Sequence, residues 1–558
     1  MTESLGGCGG EFGVKRNNKK SDLAWRMIQT ISVLLLISEF LYNFAANLDM
    51  NNSQRVILNT LFLYANMVVN VCVQLVAVRL LLSAFGVVDY GLYNLVAGVV
   101  ALFAFMNIAM SAATQRFLSY EIGRGDRERT RETFYNSLLL HVGIGLVVVV
   151  ALEAGGSYYV GHWLQAPTER IPAALMLMHC ITASTFVGII TVPYEADINA
   201  NENMGVIAGL NILDSLLKLA IALYISRWAG DRLVLYGVLT MSSLIAILMA
   251  KRVYCLVHYP ESHVRLHRIR DQRQMKHIAS YAAWNFFGTG SGVARYQGTA
   301  MLLNGAFGIA INAAYGVAQQ VNGLIMFFAN TIVRAMRPQI VKSEGAGEHS
   351  RMLRLSATAS KVTSLMVALI AVPLFIEIPF VLRLWLGEDV GSDCVLFCRS
   401  FLAIAFINQL TIGLQMAIES TGRIRNLQTI VGTMHLMALP LGYVAFQMGL
   451  PPVSIMVCIA VEEVLAIFVR TLIARRQTGM DGRQFLWENV LPVVALVCAD
   501  GLACMLLRSA FRDEWAGLFC VTALSTVLLC GLSYPFLLTG DERESVKGFL
   551  RLACRYVK

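Results

Sequence analysis

The sequence predicts an all-α membrane protein of about 14 transmembrane helices: two six-helix lobes plus two C-terminal helices. Three observations predict it. Continuous apolar runs of roughly 20 residues, long enough to cross a bilayer, recur along the chain. Only 15% of the residues are charged and 56% are hydrophobic. One half of the chain also repeats in the other. Only helices and closed barrels satisfy their backbone in lipid, and barrel strands would alternate in polarity instead of running on.

Residues 1–49 differ in character from the rest of the chain. Lys15, Arg16, Lys19 and Lys20 precede an apolar run from Ile31 to Ile37 that is too short to span and is interrupted by Glu39 and Asn43. Met50 opens MNNSQRVILNT, so 1–49 is read as an extension, untranslated or disordered. From Val56 the apolar runs place spans at 56–82, 92–114, 134–154, 171–193, 203–226, 233–254, 279–303, 312–336, 356–381, 394–418, 427–447, 452–473, 490–507 and 515–538. The predicted divisions are an N-lobe at 50–254, a basic linker at 255–277, a C-lobe at 278–474, two further helices at 490–538 and a tail at 539–558.

The basic residues alternate across these spans. One side carries Arg116, Arg124, Arg127, Arg129 and Arg131, seven from Lys251 to Lys276, four from Arg337 to Arg354, Arg423 and Arg425, Arg475, Arg476 and Arg483, and five from Arg543 to Lys558, 26 in all. The other side carries 6: Arg170, Arg227, Arg232, Arg383, Arg508 and Arg512. Basic loops stay in the cytoplasm, so both termini are expected there. The net charge of +9 arises from this bias and needs no nucleic-acid partner.

The repeat aligns Ala84-Phe85-Gly86 with Ala306-Phe307-Gly308, an offset of 222. Tyr93 then meets Tyr315, Val99 meets Val321, Phe105 meets Phe327, Ala113 meets Ala335, Gly123 meets Gly345, Gly125 meets Gly347 and Arg129 meets Arg351. An even number of spans separates the copies, so the lobes share one orientation and are related by an axis along the membrane normal.

No residues suggest an enzyme. There is no phosphate-cradling P-loop. Gly288, Gly290 and Gly292 form GTGSG inside a span, where close packing is the simpler reading. The 12 cysteines lack paired spacing, and Cys394 with Cys398 reads as packing. His141, His179 and His435 lack ligand spacing, so no metal or cofactor is expected.

Charges inside spans are the informative residues, since each costs roughly 2.5–3.5 kcal/mol at mid-bilayer unless paired or wetted. Asp214 and Lys218 are spaced to pair on one helix. Arg295 and Arg79 are expected to line a cavity with Gln297, Gln74, Asn304, Asn312 and Gln320, where guanidinium groups suit a phosphate or pyrophosphate. Glu462 and Glu463 sit mid-span, at least one of them facing the interior. With Asp214 they are the candidate sites for a coupled proton or sodium ion.

The run QGTAMLLNGAFGIAINAAYGVAQQV with RPQIVK (Gln297 to Lys342), PYEADINANENM with LLKL (Pro193 to Leu219) and ESTGRIRNLQ (Glu419 to Gln428) resemble the Wzx-like polysaccharide flippases. These belong to the multidrug, oligosaccharidyl-lipid and polysaccharide (MOP) exporter superfamily. Asn201 departs from the family's AHE pattern, where a histidine is expected. The resemblance implies a V-shaped pair of lobes working by alternating access, with the last two helices forming a groove for the lipid tail. It implies a polyprenyl-pyrophosphate-linked oligosaccharide as cargo, moved outward by a monomer among membrane lipids and other polysaccharide-assembly proteins such as a polymerase. A drug/cation antiporter of the same fold and a peptidoglycan-precursor flippase are the rival readings.

Overall fold

The computed structural model describes residues 52–101, 104–162, 167–263, 272–387, 391–540 and 542–544. The extension before Met50 and most of the tail lie outside them. Every regular element among the described residues is helical. The first half holds α1 (Asn52–Ala101), α2 (Ala104–Arg124), α3 (Arg127–Ala151), α4 (Ser157–His162), α5 (Ile171–Ala200), α6 (Met204–Ser226) and α7 (Arg232–His258). The second holds α8 (Gln272–Phe307), α9 (Ile309–Gly345), α10 (His349–Leu386), α11 (Ser392–Gln409), α12 (Ile412–Ser420), α13 (Arg425–Gln447) and α14 (Ser454–Thr478). The short α15 (Gly482–Phe485) leads to α16 (Leu491–Ser509) and α17 (Glu514–Phe536).

The expected connection between the first two spans is a single residue. Gly86 breaks α1 at φ 74, ψ 176, and Gly308 joins α8 to α9 at φ 85, ψ −177. Only glycine adopts this backbone region readily. Residues 222 apart in sequence therefore make the same turn in the two lobes. Counting α1 as two rods, the second continued by α2, and the bent pair α11–α12 as one, each lobe has six spans and α16 and α17 complete 14.

By length and hydropathy alone, 8 of the described helices could cross a membrane, or 9 if α11 and α12, bent by 42°, form one span. α8, α9 and α14 fall outside that set because they carry amides, Arg295, Arg337, Glu462, Glu463 and Arg470. A polar helix survives in a membrane when its polar groups meet protein or water, and these three face the interior or the lobe interface.

Each lobe has its own core. Tyr315, Phe397 and Phe401 centre the C-lobe core, with Leu303, Ile378 and Ile455 around them. Leu152, Leu177, Met178, Ile225 and Leu233 fill the N-lobe. Cys394 and Cys398 are buried in the C-lobe core, as their packing role requires. α16 and α17 dock on α10, with Val493 and Leu537 beside Leu410 and Ile467.

The lobes meet through α2, α8 and α9, mainly at the end where the basic loops gather. A Cβ added to Gly123 would overlap the Lys342 backbone, and one added to Gly345 would overlap the Tyr120 backbone. Tyr120 and Lys342 are also 222 apart. The contact is reciprocal, as a two-fold relation between lobes requires. Around it, Lys342 Nζ donates to Glu202 at 2.8 Å, Gln339 donates to Glu202 at 3.1 Å, and Asn136 donates to Gln274 at 2.9 Å. Arg116 Nη2 donates to the Ser420 carbonyl at 2.7 Å. The basic face of the lobe interface is thus closed.

Candidate functional site

The C-lobe holds a buried network of charge. Arg295 on α8 is 4% exposed, and Glu462 and Glu463 on α14 are 6% and 1% exposed. The Arg295 guanidinium donates to Glu462 and, through both terminal nitrogens at 3.1 Å, to Glu463. Glu463 also accepts from Asn408 on α11 at 3.0 Å and pairs with Arg470, two turns further along the same face of α14, at 3.5 Å. Arg470 donates to Thr411 at 3.1 Å, in the break between α11 and α12. Glu462 reaches His435 Nδ1 on α13 at 3.0 Å. Two arginines balance two carboxylates, which is how four ions can stay away from water.

His435, Glu462 and Glu463 bring their ligand atoms within 4.8 Å of one another, a spacing that could hold a metal ion. Arg295 already places a positive charge between the two carboxylates, so the donor set is matched to a guanidinium. A cavity of about 200 Å³ runs from His435 and Arg470 past Gln415 and Asn285 to Arg337 and Glu419, which pair at 3.2 Å.

The structure separates residues that the sequence grouped. Arg295 and Gln297 lie on different faces of α8: two residues along a helix turn a side chain to the far side, and Gln297 is exposed where Arg295 is buried. Asn304 and Gln320 are exposed too, and Asn312 is half-buried. Arg295 instead joins Glu462 and Glu463, assigned from sequence to a different role, and both glutamates face inward. The side chains of Gln74 and Arg79 lie outside the described residues. Asp214 and Lys218 form the expected pair on α6 at 2.7 Å. Next to it, Ser215 donates to Asn70, and Asn70 to Asn66 at 2.7 Å, tying α6 to α1.

Sequence reading missed Arg470, His435, Asn408 and Ser215 as site residues. Arg470 carried a signal: it lies seven residues after Glu463, two turns along the same face. Gly288 does pack closely, since a Cβ there would overlap Gln428. Asn201, where the resemblance led one to expect histidine, donates to Asp197 Oδ1 and Glu261 at 3.2 Å.

No family model matches the chain. An uncharacterised membrane protein EpsK from Bacillus subtilis is 23% identical over 484 residues, covering 84% of this chain and 92% of EpsK. Among solved structures, MATE in the straight conformation aligns with TM-score 0.66 at 15% identity, over 77% of this chain and 97% of that one. The outward-facing form of a multidrug resistance MATE family transporter of the MOP superfamily aligns with TM-score 0.67 at 14% identity, over 77% and 96%. A MOP superfamily transporter from Pyrococcus furiosus, with a binding pocket of reverse polarity, aligns with TM-score 0.65 at 14% identity, over the same shares. The chain has the fold of the MATE transporters of the MOP superfamily.

Proposed function

We propose that this protein is a transporter that flips a polyprenyl-pyrophosphate-linked oligosaccharide from the cytoplasmic to the outer leaflet, supplying surface polysaccharide synthesis. One observation carries the choice of an anionic cargo. The carboxylates facing the C-lobe interior are each held by an arginine: Glu462 by Arg295, Glu463 by Arg295 and Arg470, Glu419 by Arg337, and Glu377 by Arg508 at 2.5 Å. A cationic drug needs open carboxylates, and these are neutralised already. The motif resemblance supports the same reading.

In this reading the basic face is cytoplasmic and both termini lie there, in the inner membrane of a bacterium. An inside-negative potential then favours outward movement of the pyrophosphate, by about 2.3 kcal/mol per charge per 100 mV. Arg79 remains the proposed headgroup contact. Arg295, held by two carboxylates, acts by setting the charge of the C-lobe interior. A coupled proton would reside on Glu462, which is shared between Arg295 and His435.

The test is translocation in proteoliposomes with three cargoes presented separately. A fluorescent undecaprenyl-pyrophosphate oligosaccharide should flip faster than in protein-free vesicles, while a lipophilic cation should not be pumped. Faster movement of the peptidoglycan precursor than of the oligosaccharide would move the protein to the rival flippase class. Pumping of the cation alone would overturn the anionic reading.

A further inference from the structure

A second pocket, of about 410 Å³, opens on the basic face between the lobes. Arg116 and Phe117 of α2 form one wall, His277, Ser280, Tyr281 and Trp284 of α8 another, and the turn from Thr421 to Arg425 the third. Its volume is within the roughly 300–1,000 Å³ of small-ligand sites. Three of the lining side chains are arginines and one is histidine, and no carboxylate is among the lining residues. In the C-lobe interior Arg295, Arg337 and Arg470 are each balanced by a glutamate. Here Arg423 and Arg425 have no ion-pair partner among the described residues.

The arginines are also pre-oriented. The Arg425 guanidinium stacks over the Trp284 ring at 5.3 Å, and Arg116 lies over Phe117 and Tyr120, each at 4.7 Å. Stacking fixes the planar fork of Arg425 with its N–H groups available to phosphate oxygens, and holds Arg116 as a fixed positive charge on the opposite wall. Arg116 is further held by the Ser420 carbonyl, and a Cβ on Gly422 would come within 2.8 Å of it.

We propose that this pocket is a binding site for a phosphate- or diphosphate-bearing anion, formed only while the lobes are closed on the basic face. The lining comes from both lobes, so separating them takes the site apart. A ligand that binds one state and not the other shifts the population toward the state it binds. The anion therefore acts as a clamp on the closed face. This holds whatever cargo the central cleft carries, and it does not rest on the flippase reading.

Inorganic pyrophosphate is the probe, titrated calorimetrically into the full-length protein in zwitterionic-lipid nanodiscs. Saturable binding is expected, weakening as salt rises. The double variant Arg423→Gln/Arg425→Gln should lose at least about tenfold in affinity, because each lost charge-assisted bond is worth more than that factor. Arg425→Lys should retain part of it. Spin labels at Glu128→Cys and Ser350→Cys should report a larger closed fraction with pyrophosphate present. Repeating the titration in nanodiscs with anionic phospholipid identifies the source. Weaker apparent binding there assigns the site to a lipid phosphate, and unchanged binding to a soluble or cargo phosphate. Equal affinity of wild type and double variant overturns the proposal, as does absence of binding in both lipids or binding that leaves the label distances unchanged.

Discussion

Arg295 is the residue on which the C-lobe interior depends. Removing one partner of a buried ion pair costs about 3–5 kcal/mol, because the remaining charge is stranded away from water. Arg295→Met strands Glu462, which keeps only His435, and leaves Glu463 to Arg470 alone, so the purified variant should unfold at a clearly lower temperature in detergent. Adding Glu462→Gln removes one stranded charge and should recover part of the loss; no recovery would mean that the network is not held by charge balance. At the opposite face, Arg170 bridges Asp231 at 2.7 Å and Asp89 at 2.9 Å, and Asp231 also caps α7 by accepting from Leu233 and Val234. Burial alone would raise the Asp231 carboxyl, but the hydrogen bond from Arg170 and those from the helix backbone outweigh it and hold it below its ordinary 3.8. A depressed carboxyl contributes stability that is full above its unfolded-state value and is lost as pH falls through the folded one. Melting temperature should therefore fall as pH drops below about 4, and less steeply in Asp231→Asn.

At the scale of elements, the reciprocal glycine contact between α2 and α9 makes the sharpest prediction. Gly123→Leu or Gly345→Leu pushes a side chain into partner backbone, which cannot move aside as a side chain can. Labels at Glu128→Cys and Ser350→Cys should move apart in either variant, and an unchanged distance distribution would contradict this closure. The turn after α5 has Glu202 at φ 64, and the corresponding turn after α12 has Gly422 at φ 79. Glu202 keeps a strained conformation while it accepts from both Lys342 and Gln339 across the interface. The glycines at 123 and 345 were readable from sequence as repeats, because identical backbone demands select identical residues. What the repeat could not give was the partner. Gly123 meets Lys342, over 200 residues away, and nothing local to either marks the contact.

For the molecule as a whole, apolar run length, the alternation of basic loops and the offset of 222 made the fold class legible. Each depends on composition within a short window, and the membrane imposes it on every span alike. The site was legible only as a set of residue types. Arg295, Glu462 and Glu463 stood out because ions inside a span demand an explanation, yet their pairing across a separation of 167 residues depends on how α8 and α14 each pack on α13. Gln297 and Arg295 part for the converse reason, since near-adjacency in sequence puts side chains on different helix faces. In the proposed function the two lobes carry a pyrophosphate-linked oligosaccharide by opening and closing around it. Its most direct test is translocation in proteoliposomes by Glu202→Cys/Lys342→Cys, in a background lacking other cysteines, bridged by a short reducible bis-thiol crosslinker. Bridging the lobes should abolish flipping of the lipid-linked oligosaccharide, and reductant should restore it. An unchanged rate in the fully bridged protein would contradict the claim.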